Sequence, residues 1–238
     1  MLRNDGVALG SRRSKLQRYV LMLAFIVTWC FYGNPISFAQ NTIGLEKFYW
    51  QRDESTGVEI AASRSNQSLN FFGIGNFSPF SFVVVQKDLA KISEAAGETI
   101  DRTLKSSIAI FHDSEVFLRL KNDKRSFASL GIPDWVIDKM SNSLTDNNPK
   151  CFTMSLTDAQ NNIYLTAILV SQQSTDCLHV GLLESFGVRA SARETEDLIN
   201  VCTLYEGRRL GFRDRQSLSR EFSRLRGNCM AKVAGQNR

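Results

Sequence analysis

Histidine is scarce in this chain: of 238 residues only His112 and His179 are imidazoles. Any mechanism that needs a histidine base or ligand must therefore run through one of two positions. Other signatures are missing altogether. No Gly-x-Ser-x-Gly elbow presents a serine nucleophile, and no Cys-x-x-Cys spacing marks a zinc or redox pair. Gly73-Ile74-Gly75-Asn76 has no lysine and no expected following helix, so it is no phosphate loop. The acidic residues are many, and nothing in their spacing nominates a pair for glycoside cleavage. No Lys/Arg-interleaved aromatic cluster occurs in the middle of the chain, which argues against a nucleic-acid partner. No apolar run reaches the roughly 20 residues of a membrane-spanning helix, and no internal repeat is evident.

What is there begins with an address. Tyr19 to Gly33 is an apolar run behind Arg3, Arg12, Arg13, Lys15 and Arg18, followed by Asn34-Pro35 and Ser37-Phe38-Ala39. A basic stretch, an apolar core and a small-x-small site together read as a cleavable export signal over residues 1–39, cut after Ala39. Its removal takes five basic residues and one acidic one, and the formal charge of +5 falls to about +1. Residues 40–238 are expected to form one globular domain, periplasmic or secreted, with no stable membrane anchor after cleavage. Cys30 leaves with the signal. Cys151, Cys177, Cys202 and Cys229 remain, an even set suited to two disulfides in an oxidising space.

Residues 40–80 read as an irregular, strand-or-loop N-terminal part, and 81–230 as the main core. Phe80 to Val85, aromatic and β-branched, is expected to be a buried strand. Leu89, Ile92, Ala96, Ile100 and Leu104 recur at helical spacing from Lys87 to Leu104. Ile108 to Phe111 follows as a strand, then a short helix from Asp113 to about Lys121, and another opened by Pro133-Asp134. Phe152, Met154 and Leu156 alternate with polar residues, Asp158 to Asn162 turns the chain, and Ile163 to Val170 returns: a β-hairpin over about 151–170. The hairpin sets Cys151 beside Val170, six residues before Cys177, so these two cysteines should pair. Cys202 and Cys229 pair by elimination, although side-by-side antiparallel helices would hold them too far apart. A helix from about Asp176 presents Leu178, Leu182 and Phe186 and stops at Gly187. The next begins with Ser191 as N-cap, and a last one carries Leu218, Phe222 and Leu225. The fold class is α+β, a mixed sheet with that hairpin, packed with amphipathic helices.

The candidates for chemistry are His112, beside Asp113 and Glu115 at a strand-to-helix junction, and His179 and Glu184 on the helix that ends at Gly187. Glu184 lies five residues from His179, about 140° round the helix, so the two do not share one metal from one helix. The hairpin followed by Leu182-Leu183-Glu184-Ser185-Phe186-Gly187-Val188 resembles the layout of zincin metalloproteases, whose helix ends His-Glu-x-x-His-x-x-Gly. Aligned on Gly187, Val180, Gly181 and Glu184 stand where that motif has His, Glu and His. The resemblance implies a zincin-like core with a degenerate site. Residues 108–226 also resemble a poorly characterised family of exported proteobacterial proteins, with the Cys-Phe strand, the Cys-Leu helix and its terminal glycine as landmarks.

These readings point to an exported, non-catalytic module that binds an envelope partner or ligand, with no cofactor and no metal. The alternative is an envelope hydrolase, a protease or glycan-active enzyme, using His112, Glu115, His179 or Glu184 from different elements brought together by the fold. A third class is a partner-binding subunit that turns Arg208, Arg209, Arg213, Arg215, Arg220, Arg224 and Arg226 toward an acidic surface.

Overall fold

The computed structural model describes residues 44–64, 70–75, 77–100, 107–129, 132–144, 150–171, 175–191 and 193–236. The expected export signal lies outside the described residues, as does the tail of the helix expected to reach Leu104. Asn41–Arg238 forms one compact unit.

A short hairpin pairs β1 (Trp50–Arg52) with β2 (Glu59–Ala61). The main sheet sets β4 (Phe71–Gly75), β5 (Ile108–His112) and β7 (Asn162–Val170) side by side and parallel, in that order. Along the outer flank of β7 runs β6 (Cys151–Thr157), antiparallel, and this is the hairpin that the alternation predicts. β3 (Ser63–Arg64) pairs in parallel with the start of β7, through Ser63 with Asn162 and Arg64 with Ile163. The architecture is the expected α+β, a mixed sheet packed with helices.

Period-two alternation sends neighbouring strand residues to opposite faces. Ile108, Ile110, Ile168 and Val170 join the buried cluster of α1 (Pro79–Ala96), α5 (Thr175–Ser185), α6 (Glu194–Arg209) and α7 (Arg215–Gln236). Ala109, Phe111, Ala167 and Leu169 join that of α2 (Val116–Asn122), α3 (Lys124–Ala128) and α4 (Asp134–Ser143). The sheet is thus covered on both sides.

Several expectations are corrected. Phe80 to Val85 is not a strand but the first turns of α1. Ser78 caps that helix by accepting from the Ser81 N–H at 3.0 Å, and Pro79 occupies its first turn. Strand propensity loses because Val85, Leu89, Ile92 and Ala96 complete a buried helical stripe, while Phe80 and Val83 stay 67% and 60% exposed. A helix does follow Gly73 to Asn76, although the lysine of a phosphate loop is still missing. α1 stops at Ala96 with Gly97 as its cap, eight residues short of Leu104. The helix expected from Asp113 to Lys121 begins at Val116 and breaks at Asp123 into α2 and α3. Ser191 is not the N-cap of α6: Arg193 holds that position, and the Ser191 N–H donates to Asp197 Oδ1 at 2.7 Å.

Both disulfides join the pairs read from the sequence, Cys151 with Cys177 and Cys202 with Cys229, each with Cα atoms 5.7 Å apart. The axial offset that set Cys202 and Cys229 apart assumes helices lying side by side. In the fold α6 and α7 bring the two cysteines together, while Leu218 packs on Gly207, Arg226 reaches Glu196, and Lys232 pairs with Glu206. One glycine is dictated by the β1–β2 region. Gly187 closes α5 at φ 83°, and a Cβ there would come within 1.9 Å of the Ala62 carbonyl oxygen.

Candidate functional site

On the face of α1, α5 and α6 an open cleft of about 690 Å³ is lined by Lys87, Asp88, Lys91, His179, Ser191 and Glu194, with Val84 and Val180 as apolar wall. Each side chain comes from a helix or helix entry fixed by the core. Leu89 and Ile92 hold α1 down, which turns Asp88 outward beside them. Leu178 and Leu182 seat α5 on the sheet, leaving His179 between α1 and α6.

His179 is the centre of this cleft. Its Nδ1 lies 3.3 Å from Asp88 Oδ2, and its Nε2 lies 3.9 Å from Asp197 Oδ2. Two consecutive helices and one from far earlier in the sequence meet at one imidazole. The bond to Asp88 raises the His179 pKa, with partial burial pulling the other way. Asp197 is fully buried. Burial pushes its pKa up, against the Ser191 N–H that favours the charged form, and its Oδ2 has no hydrogen-bond partner. Lys91 pairs with Glu194 across the mouth. The cleft therefore offers donors and acceptors of both signs around a half-buried imidazole.

The other sequence candidates sit elsewhere. His112 ends β5, 6% exposed, its ring edge-on to Phe77 at 6.5 Å. Glu115 lies in the turn that follows, where its N–H donates to Asp113 Oδ1 at 3.0 Å. Glu184, a turn and a half beyond His179 on α5, neighbours Tyr49, whose hydroxyl is pushed to a higher pKa by burial and by that carboxylate. The structure thus turns His179 toward α1 and α6 and Glu184 toward the segment before β1. Among the described residues no three His, Cys, Asp or Glu side chains converge as a set of metal ligands.

Gly181, one step along from Val180, is occupied by packing. A Cβ there would lie 2.6 Å from Ile168 Cγ2, so the missing side chain is what lets α5 approach β7. The arginine-rich C-terminal part is largely spent within the fold. Arg208 donates to the Ser63 carbonyl and to Asn162 Oδ1. Arg209 donates twice to the Ala96 carbonyl, closing the end of α1. Arg215, Arg224 and Arg226 pair with Glu59, Glu221 and Glu196. Arg213 and Arg220 are exposed.

Sequence reasoning missed Asp88, Lys87, Lys91 and Asp197, because a cleft between three helices leaves no local spacing to read. It also missed Arg64, the buried second residue of β3. Its side chain donates to the Ser185 carbonyl at 3.1 Å and to Thr166 Oγ1 at 2.7 Å, and burial lowers its pKa to about 10. Protein-family models, curated proteins and solved structures contain no match to this chain. Among the described residues no helix is long and apolar enough to cross a membrane.

Proposed function

We propose that this chain is an exported, non-catalytic module that binds an envelope ligand or partner through the cleft at His179. The observation that carries the reading is the cleft itself. Its volume of about 690 Å³ falls within the range of ligand sites, roughly 300–1,000 Å³, and charged groups of both signs line it around one half-buried imidazole held by Asp88. Two disulfides support folding in an oxidising space, periplasmic or secreted, which agrees with a leader that directs export.

The order β6, β7, α5 supports the likeness to a zincin helix, and Gly181 supports its decay. The position that aligns with the catalytic glutamate is used to seat α5 on Ile168. A side chain there would have to displace the sheet before it could do chemistry.

One observation favours a second reading, an envelope hydrolase. Asp88 on Nδ1 is the kind of partner that orients an imidazole and readies its other nitrogen as a base. The nearest charged group to that nitrogen is Asp197, a carboxylate, not a nucleophile.

Incubation of the purified protein with a mixture of short peptides and soluble envelope-glycan fragments, followed by native mass spectrometry, separates the readings. A retained complex without new products is expected, weakened about tenfold by His179→Ala. New cleavage products lost in the same variant support the hydrolase instead.

A further inference from the structure

We propose a second binding site, beyond the carboxyl ends of β4 and β5, built for a single apolar ring that carries an acidic headgroup. It rests on different residues from the His179 cleft and on no part of the reading given for that cleft.

Topology places it. β4 runs into α1 on one face of the sheet, while its neighbour β5 runs into α2 on the other. Where adjacent parallel strands send their connections to opposite faces, the chains part and leave a crevice beyond the strand ends. A cavity of about 180 Å³ lies there.

The lining sets the chemistry. Ile74, Phe111, Val116 and Phe127 form an apolar wall, with the rings of Phe111 and Phe127 5.4 Å apart and tilted by 47°. A cavity of about 150 Å³ with such a wall holds one benzene ring, so this one takes a six-membered ring and little more. At its mouth stand Asp113 and Arg119. Asp113 is engaged on both oxygens: Oδ1 accepts from the Glu115 N–H at 3.0 Å, and Oδ2 forms an ion pair with Arg119 Nη1 across 2.9 Å. A guanidinium has five N–H donors, and this ion pair engages one of its nitrogens. The surplus at the mouth is therefore of donors, which selects an acceptor headgroup. A carboxylate suits it best, because charge-assisted bonds to guanidinium are the strong ones.

The test is a titration of the purified full chain with benzoate and with benzyl alcohol, read on the methyl resonances of Ile74 and Val116. Benzoate is expected to shift both saturably, and benzyl alcohol to need about ten times the concentration. Arg119→Gln should erase that difference, and Val116→Phe, which fills the wall, should abolish both titrations as read on Ile74. Arg119 is more than half exposed, so its variant keeps the test decisive whether or not Val116→Phe folds. Three results would overturn the proposal: no saturable shift with benzoate, equal affinity for the two compounds, or a preference for benzoate that survives in Arg119→Gln.

Discussion

The two faces of the central sheet receive the same kind of strand surface and are covered by different means. On one face lie helices of 11 to 22 residues, α1 and α5 to α7, tied by Cys151–Cys177 and Cys202–Cys229. Polar bonds spanning a hundred residues and more add to them, such as Arg209 to the Ala96 carbonyl and Arg64 to Thr166. On the other face lie helices of five to ten residues, α2 to α4, held by an apolar cluster around Leu120, Ile137 and Met140. Their ion pairs, Arg119 with Asp113 and Lys124 with Asp138, are short in sequence range and open to solvent on at least one partner. Exposed pairs contribute little. The face with long-range covalent and polar ties, which carries the polar cleft, is therefore expected to open less readily than the face held by apolar packing and exposed ion pairs.

The largest expected effect loosens the first face. Replacing Cys151 and Cys177 together by alanine releases a loop of sequence separation 26 and should cost about 3–4 kcal/mol in denaturant unfolding. A loss below about 1 kcal/mol would mean that the strands and helices of this face hold themselves without the tie. Next comes Leu120→Ala, fully buried against the short helices, expected to cost about 3 kcal/mol. Hydrogen exchange sharpens it: amides of α2 to α4 should exchange faster in the variant while those of α6 and α7 keep their protection. Uniform acceleration across both faces would erase the distinction.

The smallest effect is a pH dependence confined to the cleft. The His179 pKa is raised by Asp88, so the folded state holds this proton to higher pH than the unfolded state does. The stabilisation is therefore complete below the ordinary histidine value of about 6.5 and is lost as pH rises through the folded value. Asp197, raised by burial, acts in the same sense, since the buried charge becomes a burden as pH rises. The stability gap between the wild type and His179→Gln should accordingly be wider at about pH 5.5 than at about pH 8.5. A gap constant with pH would show that Asp88 and Asp197 do not bear on the imidazole.

How much of this was legible follows the range of the interactions. The hairpin over 151–170, the helix before Gly187 and the first disulfide are local, and alternation, periodicity and a short spacing announce them. The start of α1 carried two opposed local signals, the β-branched run Val83 to Val85 and the Ser78-Pro79 cap. The apolar stripe continuing to Ala96 decides between them. The Cys202–Cys229 bond came by elimination against a geometric expectation, because the placement of α7 against α6 is a tertiary outcome. The cleft was out of reach: His179 stood out through scarcity alone, while Asp88, 91 residues earlier, and Asp197, 18 later, looked like ordinary helix-surface acids. Arg64 gave no sign either, since a buried arginine is recognised by the carbonyl and hydroxyl that receive it.

Because the chain has two histidines, imidazole nitrogen resonances report directly on whether ligands enter at His179. Titrating the purified protein with the peptide and glycan-fragment mixture should shift the His179 signals, assigned by their loss in His179→Gln, and leave those of His112 in place. Signals from His179 that stay fixed while the mixture binds, or movement confined to His112, would contradict the placement of the recognition surface between α1, α5 and α6.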